Sequence, residues 1–283
     1  MIDETAAEIE AMRTHSSSEV AIKAAEALHT LTTRDRSTVS EFKRDLEHNI
    51  GVLRRANPSH ATLETALREI EDAVLDTDHT SVTGAVDALA ETIDTVTERI
   101  QTAKQDAALN AVSLFSDGDT ILTHDFSTTV MAAIREAAEQ NISLQIYVTE
   151  ARPRNLGRKT ARELGKIDSV DATLIVDSAA GSYVDECDYV LTGMTCVVDD
   201  QLYNRVGTFP IAAAAAQVDT PFYVTGASTK VIESGFVFEN DYRDASEVLR
   251  EPAEGFSIEN PSYDATPIEL VNRIVTEKKI ISP

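Results

Sequence analysis

The sequence predicts an α/β protein in which a helical N-terminal domain, residues 1–108, precedes a domain with a mainly parallel sheet, residues 109–283. Two observations predict it. The first 108 residues hold only two glycines, Gly51 and Gly84, and their apolar residues recur at helical intervals, as at Leu89, Ile93, Val96 and Ile100. After Ser116-Asp117-Gly118-Asp119 the pattern changes to short β-rich runs alternating with helical stretches, the signature of a parallel sheet flanked by helices.

Taken in order, the helical half is expected to break at Thr32–Ser37, at Asn57-Pro58-Ser59, where the proline opens a helix, and at Asp76–Ser81. Strands are expected over Thr120–Thr123, Leu144–Val148, Ala172–Val176, Tyr189–Thr192 and Phe222–Val224, with helices at 128–140, 157–166 and 208–217 filling the gaps. From Glu259 onward the sequence reads as a loop, a helix over Pro267–Val275 and a final extended pair, Ile280-Ile281. There is no internal repeat and no low-complexity segment.

Composition bounds the function. The 48 acidic residues outnumber the 25 basic ones, giving a net charge of -23 and a pI near 4.5 with no acidic tail. Charge spread over every segment of a tryptophan-free chain reads as a surface built for concentrated salt, where the Debye length shrinks to roughly 3 Å at 1 M. The same charge argues against direct nucleic-acid binding, which needs a basic patch. The two cysteines, Cys187 and Cys196, form no Cys-x-x-Cys pair, and neither a secretory leader nor a membrane-length apolar run is present, so a cytoplasmic location with no membrane partner is expected. The six histidines show no metal spacing, and no glycine-rich dinucleotide or phosphate-loop fingerprint occurs, so neither a metal nor a cofactor is expected.

Against this acidic background, six of the 25 basic residues lie between 152 and 166: Arg152, Arg154, Arg158, Lys159, Arg162 and Lys166. Arg152, in a strand-to-helix turn, is placed to meet a phosphate; the rest equally suit a solvated helix face pairing with Glu150 and Glu163. Gly207-Thr208 opens a helix, with Thr208 as N-cap and the backbone amides free to receive an anion. Asp125 is a candidate carboxylate base. Asp177 either faces it as a second carboxylate or caps a turn. Ligands of open α/β sheets bind beyond the carboxyl ends of the strands, where these residues fall.

Five short motifs carry a resemblance: Thr123-His124-Asp125-Phe126-Ser127, Val148-Thr149-Glu150-Ala151-Arg152-Pro153, Asp177-Ser178-Ala179, Asn204-Arg205-Val206-Gly207-Thr208 and Asp264-Ala265-Thr266-Pro267. Their order resembles the family that joins the alpha, beta and delta regulatory subunits of eukaryotic translation initiation factor 2B to isomerases of ribose 1,5-bisphosphate and methylthioribose 1-phosphate. The likeness is closest to the alpha subunit and suggests a haloarchaeal member. It implies a Rossmann-like C-terminal domain, a homodimer, and a pocket for a phosphorylated sugar or nucleoside monophosphate. It also implies ligand-binding roles for Arg13, Arg152, Asn204, Arg205, Gly207, Thr208 and Lys230. Arg205 stands for a family lysine, and Thr14 replaces the glycine of an Arg-Gly phosphate contact at Arg13.

The family's enzymes carry a cysteine after the Thr-His pair and an aspartate in a Gly-Ala-Asp turn; the matching residues here are Asp125 and Thr195. Because a threonine has no useful acidity, the expected function is a non-catalytic regulatory homologue of the initiation factor 2B alpha subunit. It would bind a sugar phosphate or nucleoside monophosphate and act on a partner such as the initiation factor 2 alpha subunit. The alternative is a ribose 1,5-bisphosphate isomerase that pairs Asp125 with another acid such as Asp177.

Overall fold

The computed structural model describes residues 2–11, 17–58, 60–232, 236–251 and 254–283. The chain divides into two compact units, Met1–Ala103 and Lys104–Pro283.

The first unit is helical: α1 (Ile2–Glu10), α2 (Ser17–Ala27), α3 (Val39–Ala56), α4 (Ala61–Val74) and most of α5 (Val82–Val112). Local chemistry sets the helix starts. The Thr38 hydroxyl accepts the Glu41 amide at 3.2 Å while the Glu41 carboxylate accepts the Ser37 amide at 3.1 Å, a near-reciprocal cap for α3. Pro58 does not open α4, contrary to expectation; His60 caps it instead, its Nδ1 accepting the Leu63 amide at 3.2 Å. Each helix buries one stripe: Phe42, Leu46, Ile50 and Leu53 from α3, Leu63, Leu67, Ile70 and Val74 from α4, and Leu89, Ile93, Val96 and Ile100 from α5. Each such side chain contributes about 1.5–3 kcal/mol of transfer free energy.

The second unit is built on seven strands: β1 (Thr120–His124), β2 (Leu144–Thr149), β3 (Val170–Ile175), β4 (Tyr189–Gly193), β7 (Phe222–Thr225), β9 (Arg273–Val275) and β10 (Ile280–Ile281). Their spatial order is β10-β9-β7-β4-β1-β2-β3, parallel except for the antiparallel β9–β10 pair. The helices α6 (Thr128–Glu139), α7 (Gly157–Leu164), α8 (Ala180–Tyr183) and α9 (Thr208–Gln217) alternate with the strands. The five strands and three helices read from the sequence here are all present, with ends shifted by a residue or two. The order reverses between β1 and β4, the switch point at which such sheets leave a crevice for ligands.

Two features depart from expectation. A small antiparallel sheet, β5 (Cys196–Val198), β6 (Gln201–Arg205) and β8 (Tyr263–Pro267), was not expected. Nor does a helix cover Pro267–Val275: a 3-10 turn at Ile268–Leu270 leads into β9, whose Ile274 and Val275 are buried against β7. Asn272 bridges to Phe222 in both directions, accepting its amide at 2.7 Å and donating to its carbonyl at 2.8 Å, which holds this β-branched run extended.

Candidate functional site

Beyond His124, the last residue of β1, the chain turns through Asp125 in the left-handed region, φ 66. Aspartate tolerates this conformation better than most residues, and such backbone outliers gather at functional sites. The turn is fixed from below by Thr160, whose hydroxyl donates to the Asp125 carbonyl at 2.6 Å. Thr160 is held in place because α7 begins against the end of β2. A side chain at Gly157 would put its Cβ 1.7 Å from the Thr149 carbonyl oxygen.

Asp125 Oδ2 accepts Arg205 Nε at 3.1 Å, and both side chains are nearly enclosed, 15% and 12% exposed. Arg205 also donates to the Ser262 carbonyl at 3.1 Å and lies over the Tyr263 ring, 5.0 Å from its centroid. Burial works to lower the Arg205 pKa, but Asp125, Tyr263 and Asp241 together outweigh it and the net shift is upward. Asp125 Oδ1 is buried and has no hydrogen-bond partner. One carboxylate oxygen is therefore anchored and the other is enclosed without a partner.

A second set of bonds holds the β6–α9 turn. His124 Nε2 meets the Val206 carbonyl at 2.9 Å, so that nitrogen carries the proton and Nδ1 accepts from the Thr149 hydroxyl at 2.6 Å. Gly207, at φ 108, passes so close that a Cβ there would lie 2.8 Å from the ring. The expectation for Thr208 is corrected: it is the first helical residue, not the N-cap, and its hydroxyl donates back to the Arg205 carbonyl at 2.6 Å. Nor are the amides free for a ligand. Asp264 Oδ2 already accepts Gly207 N at 2.7 Å and Phe209 N at 3.1 Å, so the helix N-terminus is filled by the chain's own carboxylate. Burial raises the Asp264 pKa, and these backbone bonds oppose the rise.

The remaining predicted residues separate into groups. Asn204 donates to Thr208 at 3.2 Å and is structural in this arrangement. Both oxygens of Asp177 are spent, accepting the Ala151 and Arg152 amides at 2.7 Å each, so it shapes the β2–α7 turn and does not stand as a second free carboxylate facing Asp125. Arg152 is exposed and donates to the Val248 carbonyl at 3.2 Å. Thr195 lies half-buried between β4 and β5, its amide donating to Tyr203. Lys230 is buried beside the same turn, donating to the Met194 carbonyl at 2.8 Å, and burial lowers its pKa from 10.5 to about 8. Arg13 lies outside the described residues.

The sequence reading undervalued Arg154, Asp264 and the segment 241–247. Arg154 is half-buried; burial lowers its pKa, and so do Arg243 and Arg205, while Glu247 and Asp125 act the other way. Arg243 pairs with Asp241 at 3.6 Å and Glu247 at 2.9 Å. The sequence signals were the density of arginines after Glu150 for Arg154 and the Asp264-Ala265-Thr266-Pro267 motif for Asp264. Among the described residues no cluster of His, Cys, Asp and Glu could hold a metal, and no helix is long and apolar enough to cross a membrane.

A doubly wound sheet with an enclosed carboxylate–guanidinium pair at its strand ends defines an α/β protein of the open-sheet class, with its candidate site at the switch point. The chain belongs to the initiation factor 2 subunit family, which it matches over residues 13–283. It is 32% identical to a ribose 1,5-bisphosphate isomerase of Haloferax volcanii over 99% of this chain and 88% of that one. Against the enzyme of the same name from Haloterrigena turkmenica it is 31% identical over 96% of this chain and 88% of the relative. Its fold superposes on a translation initiation factor eIF-2B from Pyrococcus horikoshii OT3 with a TM-score of 0.84 at 28% identity, covering 100% of this chain and 97% of that one. These relatives overturn the expectation of a non-catalytic regulator: both curated proteins just described, spanning nearly the whole chain at above 30% identity, bear the name of an isomerase. Substitution at two motif positions was too narrow a basis for discarding catalysis.

Proposed function

We propose that this protein is an aldose–ketose isomerase of the ribose 1,5-bisphosphate type, forming ribulose 1,5-bisphosphate. The observation that carries the reading is the Asp125 carboxylate, with Oδ2 fixed by Arg205 and Oδ1 buried and unpartnered. The isomerisation breaks the ring C1–O4 bond, with O4 taking a proton, removes a proton from C2, returns one to C1 and turns the C2 hydroxyl into a carbonyl by loss of its proton, so it needs no electron acceptor. Asp125 is the base, and Arg205 both orients it and offers positive charge to the developing enolate oxygen. Thr195 supplies no acid at the second family position; Lys230, tied to the same turn through Met194, is the titratable group there. Phosphate recognition falls to arginines, with Arg152 and Arg205 among them, rather than to the helix N-terminus that Asp264 fills. A homodimer working in concentrated salt belongs to the same proposal, the salt supported by the net charge of -23.

The test is a coupled assay in molar potassium chloride, following ribulose 1,5-bisphosphate from ribose 1,5-bisphosphate. Wild-type protein is expected to turn over, and Asp125→Asn to lose a factor of about a hundred or more in kcat. An Asp125→Asn variant as fast as wild type would remove Asp125 from the mechanism; a wild-type protein without turnover would overturn the isomerase reading.

A further inference from the structure

Between the β2–α7 turn and the segment 246–251 lies a cleft of about 620 Å³, lined by Arg152, Pro153, Arg154, Asn155 and Arg158 on one side and by Ser246 to Glu251 on the other. Its volume falls in the range of small-molecule sites, about 300–1,000 Å³. Its charge runs against the rest of the molecule. Four arginines and two glutamates line it, counting Arg250, in a chain where acidic residues outnumber basic ones 48 to 25.

The positive surplus survives the pairs these residues make. Glu247 is spent on Arg243, 2.9 Å away, and on the Asn260 side chain, so its charge is already offset. Arg152 reaches across the cleft to a neutral acceptor, the Val248 carbonyl at 3.2 Å, a bond that leaves its charge uncancelled. Arg158 pairs with Glu150 at 2.6 Å. Arg154 belongs to two places at once: it lines the cleft, and it interacts electrostatically with Arg205 and Asp125 in the centre described above. Arg154 is repelled by Arg243 and Arg205, whereas those two guanidiniums are held by carboxylates and shift upward. An anion in the cleft, beside Arg154, offsets the repulsion that residue feels.

The turn is also built to hold its shape without a ligand. Asp177 fixes the Ala151 and Arg152 amides, Ala151 and Asn155 sit in the left-handed region at φ 56 and φ 57, and the Asn155 side chain closes the loop onto the Pro153 carbonyl at 2.9 Å. Guanidiniums on a fixed backbone suit a phosphate monoester, whose oxygens match the planar fork in pairs.

We propose that this cleft is a phosphate-binding subsite of the enzyme, with Arg154 and Arg250 as its unassigned contacts and Arg154 as the link to the Asp125–Arg205 centre. It rests on the isomerase reading in one respect, that the phosphate it takes is the substrate's. A free phosphate-bearing effector offers the same chemistry, and the experiment separates the two.

Inorganic phosphate is titrated calorimetrically in molar potassium chloride into wild-type protein, Arg154→Gln and Arg250→Gln, and KM for ribose 1,5-bisphosphate is measured on the same preparations. Arg250 is exposed, so its variant guards against a folding defect at the half-buried Arg154. A loss of about tenfold or more in phosphate affinity in both variants, with KM raised by a similar factor, is the expected result. Unchanged phosphate affinity in both would overturn the subsite whatever the activity. Weakened phosphate binding with an unaltered KM would overturn the substrate assignment in favour of an effector. Weakened binding in a protein that never turns over would sink the isomerase reading while leaving the anion site in place.

Discussion

Two buried charged groups near the site are handled differently. Arg205 has a carboxylate partner, whereas the Lys230 ammonium is answered by the Met194 carbonyl. The cost of burying Lys230 as a cation appears as a pKa lowered to about 8. The sign follows from proton counts. From about pH 8 to 10.5 the unfolded chain binds this proton and the folded chain does not, so stability rises with pH across that window. Cys196, raised by burial to about 12, pulls the other way, since its thiol ionises earlier in the unfolded chain. The measurement is therefore a difference: denaturant midpoints of wild type minus those of Lys230→Met should climb between pH 8 and 10.5, and a flat difference would show that Lys230 keeps an ordinary pKa. Sequence motifs led directly to Asp125, Arg205 and Gly207. They did not show that Asp264 fills the helix end or that Arg154 joins the site, because those relations span dozens of residues and arise only when the strands pair.

The β5–β6 hairpin shows why one element stayed hidden. Its loop is the pair Asp199-Asp200, at φ 49 and φ 58, flanked by the Val198–Gln201 pair. Positive φ at both positions is the hairpin geometry usually announced by Asn-Gly or Asp-Gly, and two aspartates do not read that way. The parallel strands were legible because buried β-branched runs alternate with helical periods; β9 was not, since three residues carry no period. Replacing Asp200 with glycine should relieve left-handed strain and the repulsion of adjacent carboxylates, stabilising the protein by up to about 1 kcal/mol. Thermal unfolding of Asp200→Gly checks this; a lowered melting temperature would mean the second carboxylate does something the turn geometry does not require.

Over the whole molecule, a net charge of -23 repels itself, and salt is what relieves it. The melting temperature should rise steadily as potassium chloride is raised from tenths of molar to molar, and a salt-independent melt would contradict a surface suited to brine. The centre of the site is insulated from that dependence because its opposite charges are enclosed and paired. Asp264 takes the same logic further. By filling the amides of α9 it acts as an internal counter-ion, so the helix end is already complete in the apo protein. A ligand bound as proposed has no such helix end to order, and none of its binding free energy is diverted into forming it. Stabilisation by ligand should follow simple mass action, growing only with the logarithm of occupancy.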